Sequence, residues 1–273
     1  MTHIRTRDGH QLYLKDWGRG RPVVLIHGWP LNADSWDDLA MPIAEAGYRA
    51  IAYDRRGFGR SDQPFEGYDY DTLSDDLADV LAATDARDAT LVGFSMGGGE
   101  VARYMSRHGG KNVVQAALIS SVVPYMSETS DNPDGVDPGV FEQMTMGMKE
   151  DRAAFFSSFF DDFFGRGVVQ KPVSKEMHAW ACRVAMQASL KATLESAKSF
   201  ATTDFRPDLQ AFTVPTLVIH GTGDKTVPIE ATGRVAAAQI ANTIAHEYDG
   251  APHGLFASHK EQLKKDVLAF LQR

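Results

Sequence analysis

Short, almost wholly apolar runs that alternate with amphipathic segments constrain this chain more than any other feature. The runs VVLI at 23–26, YRAIAYD at 48–54, TLVGF at 90–94, VVQAALIS at 113–120 and TLVIHG at 216–221 lack the in–out alternation of a half-solvated strand. Each is therefore expected to be a strand buried on both faces. Amphipathic stretches lie between them, among them 72–83, which opens with Thr72 and Asp75 at capping-box spacing, and 100–107. Strands alternating with helices imply right-handed crossovers and a mostly parallel sheet covered by helices. A hairpin precedes the alternation: Asp8-Gly9 separates 2–6 from 11–17, the signature of a two-residue type I′ turn.

The alternation stops from about Val123 to Phe205. That stretch begins with turn residues (SETSDNPDGVDPG at 127–139) and continues as helical patterns dense in Met and Phe, with no strand pattern. Its apolar content is enough to pack, so it reads as a helical cap inserted at 123–206 into a core made of 1–122 and 207–273. The sheet pattern resumes at Val214 and ends with a strand at 243–249 and a helix at 260–272. Leu263, Val267, Phe270 and Leu271 give that helix one apolar face.

Composition narrows the function classes. Of 273 residues, 28 are Lys or Arg and 36 are Asp or Glu, a net charge of -8 that disfavours nucleic acid as a partner. No apolar run is long enough to span a bilayer, and MTHIRTRDGH lacks the apolar stretch of a signal peptide, so a cytoplasmic location away from membranes is expected. The single cysteine, Cys182, permits no internal disulfide, no CxxC pair and no thiolate zinc site. It reads as a small buried side chain in the cap. The nine histidines show no i, i+4 pair with a nearby carboxylate, so no metal and no other cofactor is expected.

The chemistry concentrates at Gly93-Phe94-Ser95-Met96-Gly97, where a buried strand passes into a helix. A serine on such a corner is held on a strained turn with its hydroxyl beyond the sheet, and the flanking glycines are needed because a Cβ would clash with strand and helix. Serine needs a base oriented by an acid. Asp224 follows TLVIHG, and His253 follows the last strand; both lie at carboxyl ends of strands, where open parallel sheets bind ligands. His246 lies inside a strand, and His27 and His220 read as loop-supporting groups. His3, His10, His108, His178 and His259 fall in peripheral segments. For the oxyanion hole, the backbone N–H groups of Met96 and of Trp29 are the candidates, because Pro30 has none.

The ordered set HGWP, DRRGFGRSD at 54–62, GFSMGGGEVARY at 93–104, HGTGDKTVP at 220–228 and APHG at 251–254 resembles the α/β-hydrolases over nearly the whole chain. More narrowly it resembles the cofactor-free bacterial haloperoxidases, or perhydrolases, and their related aryl esterases. The resemblance implies an eight-stranded α/β-hydrolase fold with a cap. It also implies a Ser95, Asp224 and His253 triad acting on small carboxylic esters, aryl esters or lactones among them. With hydrogen peroxide and a short carboxylic acid, it implies peracid formation. A proline after the oxyanion-hole aromatic, here Pro30, accompanies good perhydrolysis in this family. The resemblance points to Phe159, Phe163, Phe200 and Val227 as pocket residues, and homo-oligomers are common among such proteins. Of the six phenylalanines at 155, 156, 159, 160, 163 and 164, three or four are expected to be core. A carboxylate would replace Ser95 in haloalkane dehalogenases and epoxide hydrolases. A carbon–carbon bond hydrolase on the same triad, or a non-catalytic ligand-binding relative, stays open.

Overall fold

The apolar runs assemble into one eight-stranded sheet in the order β1-β2-β4-β3-β5-β6-β7-β8. The computed structural model describes residues 2–167 and 172–273; the part of the expected cap at 168–171 lies outside the described residues. The strands are β1 (His3–Arg5), β2 (Gln11–Gly18), β3 (Pro22–Ile26), β4 (Arg49–Tyr53), β5 (Ala89–Phe94), β6 (Val113–Ile119), β7 (Thr216–Gly221) and β8 (Thr243–Tyr248). Among the described strands of the sheet, only the pairings β1–β2 and β2–β4 are antiparallel. Every residue of β3, β5 and β7 is buried, as their unbroken apolar sequence requires. In β2 the buried residues Leu12 and Leu14 alternate with more accessible neighbours, and β8, at the sheet edge, is largely accessible.

Two local expectations are corrected. The hairpin turn holds three residues, Arg7, Asp8 and Gly9, because the Thr6 N–H bonds the His10 carbonyl 2.8 Å away and only Gly9 takes a positive φ, of 96°. A type I′ turn would need positive φ at both central positions. Helix α2 (Tyr70–Ala83) starts before the predicted capping box: Asp69 is its cap and accepts from the Thr72 N–H at 2.9 Å.

Helices α1 (Asp37–Glu45) and α9 (Lys260–Leu271) pack together, as do α2 and α3 (Met96–Arg107). The chain steps one way along the sheet from β3 to β4 and the other way from β4 to β5. Right-handed crossovers therefore put α1 and α2 on opposite faces. Between β6 and β7 run α4 (Pro138–Phe163), α5 (Lys175–Ala185) and α6 (Leu190–Thr202), then after β7 comes α7 (Gly233–Gln239), and α8 (Leu255–Ser258) precedes α9. Helix α4 is broken at Asp151, whose φ of -149° and ψ of 92° are not helical and whose carboxylate caps the second half through the Ala154 N–H at 2.9 Å. Among the described residues no helix is long and apolar enough to cross a membrane.

Candidate active site

Ser95 lies between β5 and α3 with φ 53° and ψ -119°, a conformation that L residues rarely adopt. The turn is tight enough to exclude side chains on both sides. A Cβ on Gly93 would lie 2.5 Å from the Gly97 carbonyl oxygen, and one on Gly97 would lie 2.4 Å from that of Ile26. The strain thus has a consequence: the hydroxyl leaves the sheet toward the carboxyl ends of β7 and β8.

There the structure brings Ser95, His253 and Asp224 together. Ser95 Oγ lies 2.9 Å from His253 Nε2, and His253 Nδ1 donates to Asp224 Oδ2 at 2.7 Å. The proton on Nδ1 leaves the Nε2 lone pair for the serine hydroxyl. The other carboxylate oxygen of Asp224 accepts the backbone N–H groups of Thr226 at 2.9 Å and Val227 at 2.8 Å. Burial works to raise the Asp224 carboxyl. The His253 and His220 rings and their hydrogen bonds outweigh it, and the group lies well below the usual carboxylate range. An ionised carboxylate held in this way fixes the imidazole tautomer.

The N–H groups of Trp29 and Met96 face no backbone carbonyl acceptor among the described residues, so both are available to an oxyanion. Trp29 is locked from its ring: Nε1 donates to the Thr193 carbonyl on α6 at 3.1 Å, and the indole packs edge-on to Phe156, Phe159 and Phe200. Behind it, His27 Nε2 accepts the Arg55 N–H at 3.0 Å, and Nδ1 bonds the Gly28 carbonyl at 2.9 Å. Burial and then the Arg55 guanidinium hold the His27 ring well below the usual histidine range, so it stays neutral and supports the loop.

A cavity of about 260 Å³ opens over Ser95 and His253. Trp29, Phe155, Phe159, Phe200, Met126, Val122 and Val227 line it, and Val136, Val140, Phe141 and Met144 extend the apolar wall. Ser158, Asp162, Lys225 and Thr226 complete the lining. Phe159, Phe200 and Val227 are therefore on the wall. Phe163 is fully buried instead, with its ring 4.9 Å from that of His253, and Pro30 is buried and outside the lining. Of the six phenylalanines, 156, 160, 163 and 164 are core, and Phe155 and Phe159 face the cavity. Cys182 is half-buried on α5, 3.9 Å from the Phe156 carbonyl and outside the cavity lining.

Sequence reasoning missed two features. Glu100 is fully buried one turn into α3, where it bonds Arg55 Nε at 2.5 Å and the Tyr53 hydroxyl at 2.7 Å. A lone acid in the small-residue run GGGEVA was the available signal. His220 touches Asp224, which nothing in its own sequence neighbourhood reveals.

The fold model described as "alpha/beta hydrolase fold" matches residues 21–260. A non-heme chloroperoxidase of Kitasatospora aureofaciens is 43% identical, covering 100% of both chains. A bifunctional esterase/perhydrolase of Acinetobacter calcoaceticus is 37% identical, again covering 100% of both. The crystal structure of a bromoperoxidase from Bacillus anthracis superposes with a TM-score of 0.96 at 42% identity, covering 99% of each chain. With its parallel sheet, its serine corner and these relatives along its full length, the chain belongs to the α/β-hydrolase family, in the branch that holds the non-heme haloperoxidases.

Proposed function

We propose that this protein hydrolyses small carboxylic esters through a serine acyl-enzyme and, given hydrogen peroxide and a short carboxylic acid, makes the peracid at the same site. The observation that carries the reading is the hydrogen-bonded chain from Ser95 through His253 to Asp224 at the floor of an apolar cavity. Relatives named as chloroperoxidase and as esterase/perhydrolase support the choice of reaction.

In this reading His253 takes the proton of Ser95 as Oγ attacks the carbonyl carbon, and the Trp29 and Met96 N–H groups hold the oxyanion. Asp224 stabilises the imidazolium. Collapse expels the alcohol, or water when the acyl donor is a carboxylic acid, with the proton from His253. Water or hydrogen peroxide then attacks the acyl-enzyme. His253 removes its proton and returns it to Ser95 Oγ, releasing acid or peracid. The peracid oxidises halide to hypohalous acid and reverts to the carboxylic acid, so the halogenating power passes through an ester of Ser95. A cavity of this size and aromatic lining suits a short acyl group or an aryl alcohol.

The test is a panel of short aryl esters and lactones, assayed with and without peroxide. Ser95→Ala should abolish ester hydrolysis, peracid formation and halogenation together. Asp224→Asn should lower turnover by roughly four orders of magnitude with the fold intact. Halogenation that persists in Ser95→Ala would overturn the reading.

A further inference from the structure

His220 is the last residue but one of β7, with only 2% of its surface exposed. Its Nε2 lies 2.9 Å from the Val227 carbonyl oxygen and 3.3 Å from Asp224 Oδ2, the same oxygen that receives His253 Nδ1. Both neighbours are acceptors, so Nε2 must carry the proton. Nδ1 has no hydrogen-bond partner among the described residues, and a Cβ on Gly233 of α7 would lie 2.6 Å from it. The ring is therefore wedged with one nitrogen against backbone and the other aimed between Val227 and Asp224.

We infer that His220 is a positioning residue for the reaction: its Nε2–H ties the carboxylate of Asp224 to the Val227 carbonyl and so holds the acid against His253. The inference rests on the triad reading above. Two backbone N–H groups fix Oδ1, but among the described residues Oδ2, which faces His253, has only the two histidine rings for partners. Without His220 that oxygen is held by the very group it must orient. A buried polar atom left with no partner is costly, so the orphaned Nδ1 argues that the ring is kept for what its other nitrogen does.

Nitrogen-15 spectra of the histidine-labelled protein should show His220 protonated on Nε2 and unprotonated on Nδ1. Removing a hydrogen bond to a buried carboxylate predicts that His220→Met lowers kcat on phenyl acetate by about ten- to a hundredfold, with KM within about threefold. His220→Gln, whose amide N–H reaches the Nε2 position, should restore kcat to within about threefold of the parent. If His220→Met does not fold, His220→Asn, too short to reach Asp224, replaces it in the comparison. A proton on Nδ1, parental kcat in a folded His220→Met, or a folded His220→Gln as slow as the variant lacking the donor would each overturn the inference. Ser95→Ala separates the two proposals. If it keeps esterase activity the triad reading fails; if it is inactive while His220→Met is fully active, only the role of His220 fails.

Discussion

Ser95 sits at a corner whose flanking glycines, Gly93 and Gly97, the backbone leaves no room to replace. The strain at this corner has a thermodynamic signature. A non-glycine residue at such dihedral angles costs on the order of 1–3 kcal/mol, part of which glycine returns as lost chain entropy. Ser95→Gly should thus be inactive yet more stable than the parent by about 1 kcal/mol in denaturant unfolding; a loss of stability would mean the corner is relaxed. Pro30 makes a different prediction. It fixes its own φ and restricts Trp29, whose N–H is proposed to hold the oxyanion. Pro30→Leu should lower the partition of one acyl-enzyme toward peroxide relative to water, read as peracid formed per ester consumed, and an unchanged ratio would remove Pro30 from the perhydrolysis argument. His220 was the residue least legible in sequence, since its role depends on where a loop four residues later returns.

At the scale of the element, α4 shows what periodicity carries and what it omits. The phenylalanines at 156, 160 and 163 form a buried face, and Phe155 and Phe159 turn toward the cavity, a division that 3.6-residue spacing contains once the core side is known. The break at Asp151 was not legible, because an aspartate in a polar stretch looks the same on an exposed helix face as at a cap. The division predicts opposite outcomes for adjacent substitutions. Phe160→Ala, at a fully buried position outside the cavity lining, should cost about 3–5 kcal/mol of stability, with little change in substrate preference. Phe159→Ala should cost less stability and shift the ratio of kcat/KM values toward longer acyl chains in an aryl ester series. Equal effects of both on preference would place the cavity wall elsewhere on α4.

At the scale of the molecule, alternation of apolar strands and helices was enough to announce the sheet, and the chain order Ser95, Asp224, His253 announced which strand ends converge. What joins the two sides of the site beneath the surface is signalled only faintly in the sequence, by the lone acid in GGGEVA. That joint is a buried ion pair: Arg55, just after β4, reaches Glu100 on the helix that Ser95 opens, and its Nη2 donates to the His27 carbonyl at 2.5 Å, at the root of the loop that carries Trp29. Arg55 and Glu100 are 1% and 0% exposed. Both charges are thus withdrawn from water, and each is tolerable only because of the other. Glu100→Ala strands the guanidinium and the Tyr53 hydroxyl, and should cost about 3–5 kcal/mol in denaturant unfolding. Adding Arg55→Met to Glu100→Ala removes the stranded charge and should recover part of that loss. The double-mutant cycle measures the coupling directly, and additive losses would show that strand and helix are joined by apolar packing alone.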